Sequence, residues 1–322
     1  MNQVLVTAYL GTTHSSEETR GRARRLAEGI GAHHFELKID DACASIVNTF
    51  EQATGKRPKF ESQGGSYAQD LALQNVQART RMIMSYLLAQ LVPWTRDHQG
   101  FLLVLGTSNI AEGLRGYLTK YDCSAADINP IGGINKSDLK AFLEYFSKES
   151  ELPVLAEVAQ AKPTAELRPH DESSGTQQLD EEEMGMTYAE LDEYGKLRKI
   201  SRNGPLSMFE QLLLKWRDRV DPHTNAPLTP RQIADKVKRF FRYYSINRHK
   251  LTVLTPSYHA EAYGTDDNRF DLRQFLYDTR WQHQFKQMDE AVEMVEAARR
   301  INSQMAGAKP ANNAKTNGES KL

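Results

Sequence analysis

Residues 103–112 place several polar groups directly after an apolar run. In open α/β sheets, ligands bind beyond the carboxyl ends of the strands. Thr107 offers a hydroxyl at this position, the helix that follows offers free amides to an anion, and Glu112 could hold a magnesium ion beside phosphates. Asn109 and Glu112 also have the spacing of a capping box, which needs no ligand, so this pattern alone leaves both interpretations open.

A second polar stretch runs from Tyr117 to Lys136 and includes Lys120, Asp127 and a Gly-Gly turn. Lysines neutralise phosphates as point charges, and aspartates accept hydrogen bonds from hydroxyl or amide groups. Taken alone, the stretch fits an ordinary solvated loop as well as a binding loop.

Two further segments carry groups that suit an anion. Asn75 and Arg79 lie on one face of a predicted helix, where an arginine either reaches water or binds an anion. Lys162 and Thr164 open a long acidic segment, which suits either a lid over a nucleotide or an ordinary surface loop.

Basic and aromatic residues interleave between Arg239 and Lys250, as they do in proteins that bind nucleic acid. The chain has a formal net charge of -1, however, which argues against a broad attraction to nucleic acid or anionic lipid. We therefore favour an amphipathic helix whose end, with His249 and Lys250, contacts a phosphate.

The elements that must position these residues alternate between strands and helices. Apolar runs that predict strands lie at 4–10, 33–39 and 101–105. Helical patterns lie at 15–29, 40–55, 68–91, from 137 onwards, 206–216 and 230–246, and Pro93 predicts the end of the third. This alternation predicts an α/β fold with a parallel sheet covered by helices. Residues 162–186 read as a long mobile loop.

Composition excludes several classes of protein. The 322 residues include only two cysteines, Cys43 and Cys123, in unrelated contexts, which predicts neither a disulfide framework nor a zinc site. No apolar run is long enough to span a bilayer, and the first residues lack the basic leader of a signal peptide. A cytoplasmic location is expected. The sequence has no Walker A loop, no Gly-x-Gly-x-x-Gly and no Gly-x-Ser-x-Gly.

Taken together, these segments resemble the NAD synthetase family, in its order and approximate spacing. The matching motifs are Gly106-Thr-Ser-Asn-Ile-Ala-Glu112, Thr119-Lys-Tyr-Asp122, Asp127-Ile-Asn-Pro, Asn135-Lys136, Lys162-Pro-Thr-Ala-Glu and Asn75-Val-Gln-Ala-Arg79. The segment from Thr255 to Arg273 resembles the eukaryotic, glutamine-dependent branch.

The resemblance implies an adenine-nucleotide-hydrolase-like fold of the N-type ATP pyrophosphatases, with helices on both faces of a parallel sheet. It implies that the protein amidates deamido-NAD to NAD with ATP, which is the last step of NAD biosynthesis, and that the ammonia is derived from glutamine. It also implies that the protein forms a homo-oligomer. By resemblance, the ATP-binding residues are Thr107, Lys136 and Thr164, and Glu112 binds Mg²⁺. The residues implied for deamido-NAD are Asn75, Arg79, Lys120, Asp127, His249 and Lys250.

One departure from the family affects the expected activity. The sequence contains no Ser-Gly-Gly-x-Asp-Ser loop, which cradles the ATP phosphates in the family, and it resembles the family only from the second strand onwards. We expect residues 1–300 to form the synthetase domain without its first strand, phosphate loop or glutaminase domain, and 301–322 to form a disordered tail. Weak or absent activity is the expected consequence.

Three other functions stay open from the sequence. Another amide ligase of the ATP pyrophosphatase type would share the chemistry, although the stretch from Thr119 to Lys136 favours deamido-NAD. A catalytically impaired scaffold would self-associate without binding ATP. An RNA-binding protein would show a strongly salt-dependent affinity, which a nearly neutral chain does not favour.

Overall fold

A computed structural model of the chain describes residues 3–169, 180–221, 224–258, 264 and 277–307. The described residues do not include 170–179, which belong to the predicted 162–186 loop. They also leave out most of the stretch from Thr255 to Arg273 and the predicted tail after residue 307. The chain divides into two compact units, Met1–Arg202 with Phe240–Thr279, and Asn203–Arg239 with the described part of Arg280–Leu322.

The first unit opens with a strand–helix–strand motif. Strand β1, Val6–Gly11, pairs in parallel with β2, His33–Lys38, and helix α1, Glu17–Gly29, connects them. Ser16 caps α1 by accepting a hydrogen bond from the backbone N–H of Thr19. The predicted parallel α/β arrangement is therefore confirmed.

Among the further helices of the first unit, those at 40–54, 67–95 and 136–149 match predicted helical patterns, whereas those at 153–160 and 188–195 were not predicted and the one at 180–184 lies within the predicted 162–186 loop. Their bounds are α2 Asp40–Thr54, α3 Tyr67–Thr95, α4 Ile110–Arg115, α5 Lys136–Glu149, α6 Pro153–Gln160, α7 Asp180–Met184 and α8 Tyr188–Gly195. Short 3₁₀ helices lie at Glu61–Gln63, Cys123–Ala125 and Arg248–Val253, and a π-helical turn lies at Lys196–Ile200. Helix α3 continues two residues past Pro93, so the predicted stop there was wrong. A proline disturbs hydrogen bonds toward its own N-terminal side and leaves its carbonyl free, and the Pro93 carbonyl accepts from the N–H of Arg96.

The strand predicted at 101–105 is not a regular strand. Only Leu105 forms a parallel bridge, to Ile128. The N–H of Val104 donates to the Asp127 carboxylate at 2.8 Å, so a side chain takes the place that a neighbouring strand's carbonyl would occupy. Val104 itself is buried in a small apolar cluster with Met82, Ala89 and Ala126.

Helices α9, Pro205–Lys215, and α11, Gln282–Gly307, belong to the second unit, and α10, Pro230–Ile246, contributes residues to both. Within the second unit, Phe209 and Leu212 of α9 and Met288 and Val292 of α11 have no exposed surface. Helix α11 includes 301–307, the first residues of the predicted tail. No helix in the described part of the chain is long and apolar enough to cross a membrane.

Candidate functional site

Thr107 and Glu112 lie where the segment ending at Gly106 meets α4. Thr107 is exposed. The capping box is present: Asn109 accepts from the N–H groups of Ala111 and Glu112, and Glu112 accepts from the N–H of Asn109. Because α4 has only six residues and its first amides are occupied by Asn109, an anion site at this helix start is not supported. The ligand-binding capacity of the segment rests instead on the Glu112 side chain.

Glu112 is one of two acidic groups beside the hydroxyl of Tyr188. That hydroxyl lies 3.5 Å from Oε1 of Glu112 and 3.0 Å from Oδ2 of Asp180. Burial raises the pKa of Glu112 to about 7, and the negative charge of Asp180 adds to this effect while Lys136 opposes it. Burial also raises the pKa of Asp180. The Lys136 ammonium lies 5.4 Å from the centre of the Tyr188 ring, so the predicted Lys136 and Glu112 do belong to one cluster.

The cluster suits a divalent cation that is completed by a substrate. Magnesium commonly binds one or two protein carboxylates, with substrate phosphates and water as the other ligands. Glu112 and Asp180 supply two carboxylates whose pKa values are raised mainly by burial, so a bound cation would stabilise their charged forms. Within the described ranges, no group of three or more His, Cys, Asp or Glu side chains is arranged to hold a metal ion. The donors present fit an ion that needs further ligands from a bound nucleotide.

Thr164 lies next to this cluster through the backbone. The N–H of Asp180 donates to the carbonyl of Pro163 at 3.2 Å, so the two ends of the acidic segment meet. Thr164 is partly buried, whereas Lys162 is exposed. The structure therefore brings Glu112 and Lys136 together and places Thr164 one residue from a contact with Asp180.

A second cluster gathers residues predicted to bind the dinucleotide. The hydroxyl of Thr119 donates to the Asn75 side chain at 2.6 Å, and Nε of Arg79 donates to the carbonyl of Lys120 at 3.0 Å. Helix α3 and the loop after α4 are joined at this point, so Asn75, Arg79 and Lys120 converge as predicted. The Arg79 side chain is exposed, which leaves its guanidinium accessible to an anion.

Lys250, 132 positions after Leu118, contacts the same loop, and His249 precedes it. The Lys250 ammonium donates to the carbonyls of Gly116 and Leu118 at 2.9 and 2.6 Å. Burial lowers the pKa of Lys250 to about 8, and the charges of Arg115 and Arg79 lower it further. The pKa of His249 is also lowered. Partial burial of the ring is the main cause, and the positive charges of Lys120 and Lys250 lower the pKa further. Positive charge is therefore concentrated here.

Asp127 has a structural role beside the ligand role expected of it. Its Oδ1 accepts from the hydroxyl of Tyr86 at 3.0 Å, and its Oδ2 accepts from the N–H of Val104 at 2.8 Å. Its assignment to deamido-NAD stays a prediction.

Sequence reasoning missed Asp180, Tyr188 and Arg115. Asp180 belongs to an acidic run that was read as loop. Thr187 and Glu190 form a capping box that predicts α8 and would have placed Tyr188 in its first turn. Arg115 is only 8% exposed, and its guanidinium lies 3.6 Å from the centre of the Tyr243 ring. Sequence motifs cannot identify the role of Arg115, because its partner Tyr243 lies 128 positions further along the chain.

The chain is similar to proteins of one known family. The family model described as NAD synthase matches residues 2–210. A putative glutamine-dependent NAD(+) synthetase of Schizosaccharomyces pombe is 57% identical over 90% of this chain and 40% of its own length. The Homo sapiens glutamine-dependent NAD(+) synthetase is 54% identical over 92% of this chain and 41% of its own length. The chain thus spans about two fifths of these curated relatives.

A solved structure agrees with the sequence match. The crystal structure of a glutamine-dependent NAD(+) synthetase from Cytophaga hutchinsonii superposes with a TM-score of 0.65 and 25% identity, over 88% of this chain and 41% of that one. The expected adenine-nucleotide-hydrolase-like fold class is confirmed by this likeness.

Proposed function

Since the chain belongs to the NAD synthase family, we propose that it carries out the synthetase reaction of a glutamine-dependent NAD synthetase, the amidation of deamido-NAD to NAD. ATP first adenylates the nicotinate carboxylate and releases pyrophosphate. Ammonia then attacks the activated carbon, and AMP leaves. A free carboxylate resists this attack because its charge repels the nucleophile and oxide is a poor leaving group, and adenylation removes both obstacles.

The observation that carries this proposal is the pairing of two chemically different clusters within one unit. The acid–lysine cluster of Glu112, Asp180 and Lys136 suits a nucleoside triphosphate, whereas the basic cluster around Lys250 suits a second anionic ligand. Reaction between two nucleotides needs both to be held at once, and holding them together lowers the barrier by removing translational freedom.

Each side chain has a definite part in the proposal. Lys136, with Thr107 and Thr164, binds the ATP phosphates, and charge-assisted hydrogen bonds of this kind contribute about 1.5–3 kcal/mol each. Glu112, together with Asp180, would hold Mg²⁺, which when bound neutralises phosphate charge. The residues proposed to bind deamido-NAD are Asn75, Arg79, Lys120, Asp127, His249 and Lys250.

Several wider features are proposed with the reaction. Residues 1–300 act as a synthetase domain, and ammonia comes from a glutaminase partner or domain. The protein is cytoplasmic and assembles as a homo-oligomer through α3. Ile83, Leu87, Leu91 and Trp94 recur on one side of this helix at intervals of three or four, and all four are exposed.

Calorimetry with ATP and deamido-NAD tests the function directly. We expect each ligand to bind, with Lys136→Ala weakening ATP and Arg79→Ala weakening deamido-NAD, about tenfold or more each. Lys140→Ala on the exposed side of α5 is the control and should change neither affinity. NAD formation with ammonium chloride is measured in parallel. Failure of the wild-type chain to bind either nucleotide would refute the function.

A further inference from the structure

The segment that follows Thr164 is held in place at several points, although the sequence suggested a mobile lid. We call residues 163–168 the strap. The carbonyl of Leu167 accepts from Nε2 of Gln77 on α3 at 2.8 Å. Nε of Arg168 donates to the buried carboxylate of Asp70, also on α3, at 2.8 Å. The described part of the 162–186 segment is therefore attached to the body of its unit.

Glu166 makes the most concentrated of these attachments, at the start of α1. Its Oε2 accepts from the N–H of Ser16 at 3.1 Å. Its Oε1 accepts from the hydroxyls of Ser16 and Thr19 at 2.7 and 2.9 Å. One carboxylate thus takes three donors from the N-terminal turn of a helix, where a negative charge is also favoured by the helix dipole. The contact joins residues 150 positions apart.

The backbone at Glu166 supports a functional reason for this arrangement. Its φ angle is +47°, in the left-handed region that residues other than glycine seldom occupy. Such a conformation costs free energy and persists where surrounding contacts over-determine it, commonly at ligand sites. Here the three hydrogen bonds to the side chain supply that restraint, two residues after Thr164.

We propose that Glu166 is a positioning residue, which clamps the strap to α1 and thereby fixes Thr164, and through Pro163 also Asp180, for binding ATP. The role of the clamp in binding ATP rests on the proposed function, whereas the clamp itself rests on the hydrogen bonds of Glu166. Two positions in the strap act on different partners: the carbonyl of Pro163 accepts the N–H of Asp180, and the side chain of Glu166 holds the chain against α1. Loss of the carboxylate leaves the strap held at Leu167 and Arg168 but releases its part around Thr164, with little effect on the basic cluster.

The test compares Glu166→Gln with Glu157→Gln. Glu157 forms an ion pair with Arg25 of the same helix α1, but it takes no part in the strap attachments given above. Glu157→Gln is therefore a matched control for the loss of a carboxylate next to α1. Glu166→Gly is a second variant, because glycine adopts the left-handed conformation without strain and leaves only the missing side chain to account for any effect.

Two measurements judge the proposal separately. Amide hydrogen exchange should become about tenfold faster at Thr164–Leu167 in both Glu166 variants, and stay unchanged at α5 and in Glu157→Gln. Calorimetry should show ATP binding weakened about tenfold with deamido-NAD affinity within twofold of wild type. Unchanged exchange in the strap would overturn the clamp. Faster exchange with unchanged ATP affinity would overturn its role for ATP. A wild-type chain that binds no ATP would refute the proposed function and that role together, while exchange alone still decides whether the clamp exists.

Discussion

At the scale of single residues, burial sets the charge states that matter. Lys250 is held by two backbone carbonyls, which favour the ammonium form, yet burial and the nearby cations Arg115 and Arg79 dominate and lower its pKa to about 8. A lysine with such a pKa loses its charge within the ordinary working range of an enzyme, which an exposed lysine does not. Its proposed contribution to binding deamido-NAD should then depend on pH.

We expect the affinity for deamido-NAD to fall as the pH rises from 7 to 9, because Lys250 deprotonates near 8. Lys250→Arg should flatten this dependence, since arginine stays charged. His249 adds little to the slope, because its pKa lies below the ordinary value of 6.5 and it is neutral throughout this window. Calorimetric titrations at several pH values measure the slope, and Lys140→Arg serves as control. A slope identical in wild type and Lys250→Arg would contradict the assignment.

The same shift predicts the direction of a stability change. The folded pKa of Lys250 lies below the unfolded value of 10.5, so the unfolded chain binds more protons between pH 8 and 10.5. The penalty for burying the charge is complete below about 8 and disappears as the pH rises to 10.5. The contribution of Lys250 to the free energy of unfolding should therefore increase across that range, as urea titrations at pH 8 and pH 10 can measure.

At the scale of elements, side chains complete what regular secondary structure leaves open. The extended segment at 101–105 lacks a strand ladder, and the Asp127 carboxylate accepts the N–H of Val104 instead. In the same way, the Glu166 carboxylate accepts the backbone N–H of Ser16 at the start of α1. In both cases a carboxylate far along the chain ties two elements together, so an element's position depends on a residue outside it.

Asp127→Ala should destabilise the protein by about 1–2 kcal/mol, because it leaves the Val104 N–H without its acceptor. Asp127→Asn should cost less, since the amide oxygen can still accept. Urea unfolding measures the difference, and Asp138→Ala on exposed α5 provides a comparison at a helix start. If the asparagine variant keeps its stability but loses deamido-NAD affinity, Asp127 also contacts the dinucleotide. An alanine variant with an unchanged unfolding midpoint would show that the Val104 contact contributes nothing.

At the scale of the whole molecule, apolar surface is distributed unevenly. The helical pattern predicted at 68–91 does occur as α3, but its apolar residues Ile83 and Leu87 are 60% and 46% exposed. The apolar residues Phe142 and Phe146 of α5 are likewise exposed, and they stack on each other. Helical periodicity predicts that a face is apolar and does not determine whether the same chain covers it.

Homo-oligomer formation through α3 predicts that Leu87→Glu combined with Trp94→Glu gives monomers, because two buried carboxylates without partners oppose association. Analytical ultracentrifugation of wild type and variant measures this over micromolar concentrations. Leu214→Glu, at a more exposed position on α9, should leave the assembly unchanged. A wild-type chain that stays monomeric would contradict the proposed assembly.

The sequence by itself determined the parallel strand–helix–strand start, the helices α1–α3, α5, α9 and α10, the Asn109–Glu112 capping box and the family, because periodicity, caps and short motifs act within a few residues. The resemblance also named Glu112 with Lys136, and Arg79 with Lys120, which lie near each other in the structure; their roles in binding stay predictions. The tertiary structure alone decided that Asp180 faces Glu112 across Tyr188, that Glu166 clamps α1, and that 101–105 pairs with a side chain. Those contacts join residues 23 to 150 positions apart. Packing of the whole chain selects such partners, and no local pattern encodes them.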